Sequence, residues 1–164
     1  MTVMSAVVVD TNVAVVANGN ADHINDEACI DACIEALAKI FDGTRVVIDD
    51  GYRIIDEYIR NLCLSGQPGI GDKFLQWVHE RQACTGYVEQ VHITPRNRED
   101  DFEEFPDDSD LQGFDYNDRK FVAVALTSQF SPTILNASDT GWYNYHEALR
   151  RCGCKIEFLC PQLM

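Results

Sequence analysis

The chain has 164 residues, 46% of them hydrophobic and 24% charged, and its 27 acidic and 13 basic side chains give a formal net charge of −14. These values are typical of a single globular domain and exclude disordered and fibrous proteins. The apolar runs are shorter than the ~18 residues of a membrane-spanning helix, so we expect no membrane span. The first residues lack the basic segment of a signal or transit peptide, and we therefore expect a cytoplasmic protein.

Short valine-rich runs alternate along the chain with segments of helical periodicity. The runs SAVVV (5–9) and RVVID (45–49) predict strands that are buried on both faces. Further strands are predicted over 87–94, 133–137 and 155–160. Helices are predicted over 28–41, 54–62, 72–81, 116–129 and 143–151, and a turn cluster is predicted at 65–71. This alternation predicts one domain spanning 1–164, a three-layer α/β/α sandwich with a central, mostly parallel five-stranded sheet.

One segment departs from this alternation. Residues 95–113 (PRNREDDFEEFPDDSDLQG) are rich in acids, contain two prolines and have little periodicity. We therefore predict an exposed acidic loop or insertion there, outside the core.

The seven cysteines form no recognisable metal-binding pattern. Cys29 and Cys33 are four residues apart, and Cys152 and Cys154 are two apart, but neither spacing is repeated as in zinc sites. Because the number is odd and no export signal is recognised, we expect reduced cytosolic thiols.

Four acidic residues occupy positions from which a site could be built. Asp10 and Asp139 follow the first and fourth predicted strands, and ligands of open α/β sheets bind at the carboxyl ends of strands. Glu57 lies at the edge of an apolar helical stripe, and Asp118 precedes the apolar face of the next helix. For Asp10 or Asp139 alone, a turn residue or helix cap is the more usual interpretation, and for Asp118 a role in the first helical turn fits equally well. Glu57 faces inward and needs a partner.

Together, however, four converging carboxylates would repel one another, and a bound cation would relieve this repulsion. Oxygen ligands of this type suit Mg²⁺ or Mn²⁺, which can activate water for hydrolysis of a phosphodiester.

The segments VVVDTNV (7–13), DEYIRNL (56–62), YNDRKFVAVAL (116–126) and ILNASDTGW (134–142) resemble, in order and spacing, the four motifs of the PIN-domain family. The resemblance covers nearly the whole chain, and it implies an α/β/α sandwich and metal-dependent cleavage of RNA. It matches the family's catalytic, metal-binding acids to Asp10, Glu57, Asp118 and Asp139. It also implies that Thr11 lines the site, that Asn12 holds the strand end, and that Ser138 is the hydroxyl residue before the last acid.

We therefore expect a metal-dependent endoribonuclease that hydrolyses single-stranded RNA with Mg²⁺ or Mn²⁺, of the type found as toxins in toxin–antitoxin pairs. The alternative is a catalytically quiet PIN-like module that binds RNA or protein. Possible partners are a basic, antitoxin-like protein and a second copy of the chain in a homodimer. Contacts to RNA around the site are expected from side chains of two kinds. The cations are Arg53, Arg60, Arg119 and Lys120, and the aromatic residues are Trp142, Tyr143 and Tyr145.

Two other enzyme-like folds fit less well. A haloacid-dehalogenase-like phosphatase needs an acid two positions after its first aspartate, where this chain has Asn12. A receiver domain would use Asp49 as its phosphorylated residue, but it also needs a lysine after the fourth predicted strand, and none follows it.

Overall fold

The computed structural model of the protein describes residues 5–19, 21, 26–64 and 69–164. His23 and residues 65–68 of the predicted turn cluster lie outside this part of the chain. The strands are β1 (Ala6–Val9), β2 (Arg45–Asp49), β3 (Val88–Val91), β4 (Pro95–Arg96), β5 (Arg98–Phe102), β6 (Thr133–Asn136) and β7 (Lys155–Phe158). The helices are α1 (Thr11–Ala17), α2 (Glu27–Phe41), α3 (Arg53–Asn61), α4 (Ile70–Arg81), α5 (Arg119–Thr127), α6 (Thr140–Tyr143) and α7 (His146–Arg151).

Five strands form one parallel sheet in the order β3-β2-β1-β6-β7. Helices cover both faces of this sheet, so the predicted three-layer α/β/α sandwich is confirmed. The chain places β2 and β3 on one side of β1, and β6 and β7 on the other. The strand order therefore reverses between β1 and β6, and open α/β sheets bind ligands at such a reversal.

The valine-rich strands are buried as their composition predicts. Val8, Val9 and residues 46–48 are at most 1% exposed. Helix α5 packs against β1, β2 and β6, whereas α1, α2 and α4 pack against one another. Burial on both faces therefore explains why these strands are continuously apolar instead of alternating.

Helix α1 was not predicted from the sequence. Its residues are mostly valine and alanine, and β-branched residues favour strands when they are considered locally. Asp10 begins the helix, because its side chain accepts a hydrogen bond from the backbone N–H of Asn12 at 3.1 Å. The apolar side chains of α1 are buried against α2 and α4, and this tertiary burial overrides the local preference.

The prediction of an exposed loop over 95–113 was wrong. Strands β4 and β5 form an antiparallel hairpin, and Phe102, Phe105 and Leu111 belong to the hydrophobic core. Arg119 anchors the segment, since its buried guanidinium donates to Asp101 at 3.0 Å and to the backbone carbonyl of Phe114 at 3.1 and 3.2 Å. The segment is acidic in composition, but long-range apolar contacts and ion pairs order it.

The expectation of reduced thiols also differs from the structure. Cys29 of α2 and Cys160, which follows β7, form a disulfide across a sequence separation of 131 residues. The sulfur of Cys33 lies with these two sulfurs in a buried group whose members are all within 4.8 Å of one another. Cys33 itself is a free thiol, and burial raises its pKa to about 12.

None of the helices within the described ranges has the length and apolar character needed to cross a membrane.

Candidate metal centre

Two of the four predicted acids lie where the strand order of the sheet reverses. Asp10 directly follows β1, and Asp139 begins α6 just after β6, the neighbouring strand. Asp10 is 6% exposed. Its carboxylate accepts hydrogen bonds from the backbone N–H of Asn12 and from Nδ2 of Asn136, both at 3.1 Å. The side chain of Asp10 is therefore held in one orientation at the sheet edge.

Asn136 was not singled out from the sequence, yet it connects the two strand ends. Its Nδ2 donates to Asp10, and its Oδ1 accepts from the backbone N–H of Asp139 at 2.9 Å. Asn12 reinforces the connection, because its Oδ1 accepts from the backbone N–H of Ala137 at 3.1 Å. Asn12 thus connects the end of β6 to the start of α1. A polar side chain at the end of the apolar run TILNA was the sequence signal for Asn136.

Glu57 reaches the same edge from α3. The hydroxyl of Thr11 donates a hydrogen bond to one carboxylate oxygen of Glu57, and Lys120 of α5 donates to the other at 2.7 Å. Thr11 therefore lines the site and orients an acid. Lys120 supplies a positive charge that the sequence interpretation had placed at the rim for binding RNA.

Asp118 precedes α5 and is half-buried. The helical turn that contains it, Tyr116–Asp118, is capped by Asp115, which accepts from the backbone N–H of Asn117 at 2.9 Å. Asp118 makes no capping hydrogen bond of its own to α5. Burial, followed by the charges of Asp139, Asp115 and Glu57, raises the pKa of Asp118 to about 7 although Lys120 opposes the shift.

The carboxylate of Asp10 is buried and lies near enough to the other three acids for their charges to act on it. Burial raises the pKa of Asp10 well above its usual value, and the charge of Asp118 raises it further. The charges of Glu57 and Asp139 act in the same direction, and only the hydrogen bond from Asn12 opposes them. Two strand ends, helix α3 and the start of α5 therefore bring acids from separate parts of the sequence close enough for their charges to act on Asp10.

The carboxylate oxygens of these four acids are of the kind that binds a hard divalent cation such as Mg²⁺. Their spacing, however, limits how many of them can bind one ion directly. Within the described residues, no three of these carboxylates bring oxygen atoms within 4.8 Å of one another. One ion bound directly by three carboxylates would need a closer arrangement. Mg²⁺, however, usually keeps several waters and uses one or two carboxylates, a requirement that this spacing can meet. A cation would also reduce the repulsion that raises the pKa of Asp10 and Asp118.

The remaining predicted residues divide into those near the centre and those in the core. Ser138 is half-buried between β6 and Asp139. Arg53, Arg60 and Lys120 line one cavity, and Lys120 also contacts Glu57.

Three of the side chains that were predicted to contact RNA pack in the interior or against other side chains. Arg119 is 4% exposed and pairs with Asp101, so the prediction that placed it at the rim of the site was wrong. Trp142 is fully buried, and Tyr145 packs on Phe114 with the ring centroids 5.6 Å apart. Tyr143 is exposed.

Asp49 begins the turn before α3. Its carboxylate accepts from the backbone N–H groups of Gly51, Arg53 and Ile54 at 2.9–3.2 Å. These bonds show that Asp49 caps the backbone N–H groups at the start of α3. This structural role explains the aspartate without phosphorylation.

Comparison of this chain with protein-family models, curated proteins and solved structures finds no match.

Proposed function

We propose that the protein is a PIN-like endoribonuclease that hydrolyses single-stranded RNA at Asp10, Glu57, Asp118 and Asp139 with Mg²⁺ or Mn²⁺. The observation that carries this proposal is the raised pKa of the buried Asp10, to which the charges of the other three acids contribute. Such an accumulation of like charge disfavours the ionised state unless a cation is bound. Asp10 also lies where the strand order of the sheet reverses, which is the usual ligand site of an open α/β sheet.

The side chains of the centre would have distinct tasks. A bound divalent ion would supply an activated water and stabilise charge on the phosphodiester oxygens. Asn136 and the backbone of Asn12 hold the carboxylate of Asp10 in place. Thr11 orients Glu57 in the same way. Attack by water does not require the ribose 2′-hydroxyl, so the products would end in a 5′-phosphate.

A cytoplasmic location belongs to the same proposal, because RNA and an antitoxin-like basic partner would be met there. The net charge of −14 favours such a partner. Self-association as a homodimer is compatible with the same site.

The alternative function is a PIN-like module that binds RNA or protein without cleaving it. Two observations favour this alternative. Lys120 pairs with Glu57 at 2.7 Å, and this internal cation neutralises part of the acidic charge. In addition, no three carboxylates of the centre converge within 4.8 Å among the described residues. A quiet module would therefore bind its partner without requiring a divalent ion.

Cleavage of a mixed pool of single-stranded RNA in Mn²⁺ distinguishes the two functions. We expect wild-type protein to produce fragments with 5′-phosphates, and we expect Asp10→Asn and Asp118→Asn to reduce the rate at least ~100-fold. Both substitutions keep side-chain size and remove charge. A parallel calorimetric titration with Mn²⁺ should give weaker binding for both variants.

Asp31→Asn is the matched control, because Asp31 is an exposed acid on α2. This variant should cleave RNA and bind Mn²⁺ as wild type does. Products with 2′,3′-cyclic phosphates, or full activity in both site variants, would contradict the proposed mechanism. Binding of RNA without cleavage at any Mn²⁺ concentration would favour the quiet module.

A further inference from the structure

A cavity of about 530 Å³ opens beside the carboxylate centre. Helix α3, the β4–β5 hairpin and the start of α5 form its walls. Its volume lies within the ~300–1,000 Å³ that is usual for ligand sites. The lining residues are Arg53, Asp56, Arg60, Arg98, Glu99, Asp100, Phe102, Tyr116, Asn117 and Lys120.

The cavity concentrates cationic side chains although the protein is strongly acidic. Four of them line it, and each is paired with an acid: Arg53 with Asp49, Arg60 with Asp56, Arg98 with Asp100 and Lys120 with Glu57. The whole chain, by comparison, has 13 basic and 27 acidic residues. Nearly a third of the basic side chains therefore line this one cavity, and they are the groups through which an anionic ligand would be held.

Arg98 presents a fixed cationic group at the cavity. Its guanidinium donates to both carboxylate oxygens of Asp100, at 2.7 and 3.1 Å. The guanidinium carbon also lies 4.0 Å from the centroid of the Tyr116 ring. The side chain of Arg98 nevertheless remains 55% exposed. A guanidinium held in this way can stack on a nucleic-acid base.

The hairpin that contributes Arg98 is itself anchored in the core. Arg119 and Asp101 form a buried ion pair at 3.0 Å. Arg119 also lies over the Tyr116 ring, with its guanidinium carbon 4.2 Å from the centroid. The wall of the cavity is therefore formed before a ligand arrives, and this reduces the entropic cost of binding.

The cavity and the carboxylate centre share a wall. Lys120 lines the cavity and also donates to Glu57 at 2.7 Å. Asn117, another lining residue, directly precedes Asp118. A group bound in the cavity would therefore lie next to the carboxylates.

From this arrangement we infer that the cavity binds the nucleotide next to the scissile phosphodiester of a single-stranded nucleic acid. Its base stacks on Arg98, and its phosphate lies among Arg53, Arg60 and Lys120. This assignment rests on the proposed function for the position of the scissile bond. It adds a nucleotide-binding pocket that the β4–β5 hairpin of this chain builds.

Binding can be tested without cleavage by measuring the fluorescence anisotropy of a labelled ten-nucleotide oligouridine in excess EDTA. We expect Arg98→Gln and Arg60→Gln each to weaken binding at least tenfold. Arg151→Gln is the matched control, because the side chain of Arg151 is also 55% exposed and pairs with Asp108 and Asp110 outside the cavity. The control should bind as wild type does. Circular dichroism must show that all three variants are folded.

Competition experiments identify the chemistry that is recognised. Uridine monophosphate should displace the oligonucleotide at a concentration at least tenfold lower than inorganic phosphate requires. Equal displacement by the two would overturn base stacking, and displacement by oligoglutamate at the concentration of the monophosphate would overturn the nucleotide in favour of an acidic peptide.

The pocket and the nuclease function can fail separately. If Arg98→Gln and Arg60→Gln bind the oligonucleotide as wild type does, the pocket is overturned while Asp10-dependent cleavage can still stand. If both variants lose binding but Asp10→Asn cleaves normally, the pocket stands and the proposed function fails.

Discussion

Two acid-rich regions of this protein differ in how their charges are compensated. In the first, the carboxylate centre of Asp10, Glu57, Asp118 and Asp139, acids face one another. In the second, residues 95–114, which we call the hairpin lobe, acids face arginines. Asp101 pairs with Arg119, and Asp100 pairs with Arg98. The hairpin lobe thus uses its acids in ion pairs that hold a loop in place, whereas in the carboxylate centre Glu57 pairs with Lys120 and Asp10 is held by hydrogen bonds from Asn12 and Asn136.

The pKa values of the two regions shift in opposite directions. Hydrogen bonds from Arg98 and Arg151 lower the pKa of Asp100 and Asp108 below their usual values. Burial and like charges raise the pKa of Asp118 to about 7. Acidic composition alone therefore does not define a site. Burial together with the neighbouring charges decides whether the pKa of an aspartate is raised, as for Asp118, or lowered, as for Asp100.

The largest effect is expected from removing the buried cation of the hairpin lobe. Arg119→Met removes the closer and more deeply buried of the two arginine partners of Asp101 and leaves it only Arg96, at 3.7 Å. Breaking a buried pair typically costs ~3–5 kcal/mol. Urea unfolding followed by circular dichroism would measure the loss. The double variant Arg119→Met/Asp101→Asn should recover part of it, because no uncompensated charge remains. A single variant as stable as wild type would show that the lobe does not depend on this ion pair.

The disulfide provides a reference for the whole fold, since it joins α2 to the segment after β7, outside both acidic regions. Cross-links that close long loops usually stabilise proteins by ~2–4 kcal/mol. We predict that reduction lowers the melting temperature of wild type and leaves Cys160→Ser unchanged. Cys63→Ser, which alters an exposed free thiol, should respond to reductant as wild type does. Mass spectrometry of the unreduced protein that finds Cys29 and Cys160 free would contradict the cross-link.

The pH dependence of stability tests the carboxylate centre without any substrate. The folded state raises the pKa of Asp118 to about 7, so it retains a proton that the unfolded chain has already released. The stability that this proton contributes is fully present below pH ~4 and is lost as the pH rises through ~7. Asp118→Asn removes this dependence, and at pH 7.5 without metal we expect it to be more stable than wild type by ~1–3 kcal/mol. A less stable variant at pH 7.5, measured by urea unfolding, would contradict the repulsion.

The smallest effect is expected at the exposed edge of the hairpin lobe. Arg151 pairs with Asp108 and Asp110 at 3.0 Å each, but its side chain is 55% exposed. Solvent screens such pairs, and we predict that Arg151→Gln leaves the free energy of unfolding in urea unchanged within the error of the measurement. A loss as large as that of Arg119→Met would remove the distinction between buried and exposed pairs on which the comparison depends.

The sheet could be predicted because it follows local rules. Strands β1, β2 and β6 contain short apolar runs, whereas β3 and β7 mix apolar with polar residues. Asp10 directly follows β1, and Asp139 lies three residues after the end of β6. Parallel strands end at the same edge, so their following residues are brought together by the fold. Helix α1 was missed because its valines favour a strand locally, and only packing against α2 and α4 makes them helical.

The hairpin lobe could not be predicted, because its order depends on partners far away in sequence. Arg119 looked like a surface cation beside Lys120, yet it is buried against an aspartate 18 residues earlier. The disulfide also joins residues that are far apart in sequence. Its two cysteines are separated by 131 residues, and five other cysteines offered alternative pairings. Short-range periodicity contains no information on either contact.

The claim that the four acids form one cation-binding centre is tested most directly by the melting temperature in rising concentrations of Mn²⁺ at pH 7.5. A ligand that binds only the folded state stabilises it by ~2.7 kcal/mol at a hundred times its dissociation constant. We predict a saturable increase for wild type and for Asp31→Asn, and an increase less than half as large for Asp10→Asn. Equal increases in all three proteins, or none in wild type, would contradict the centre.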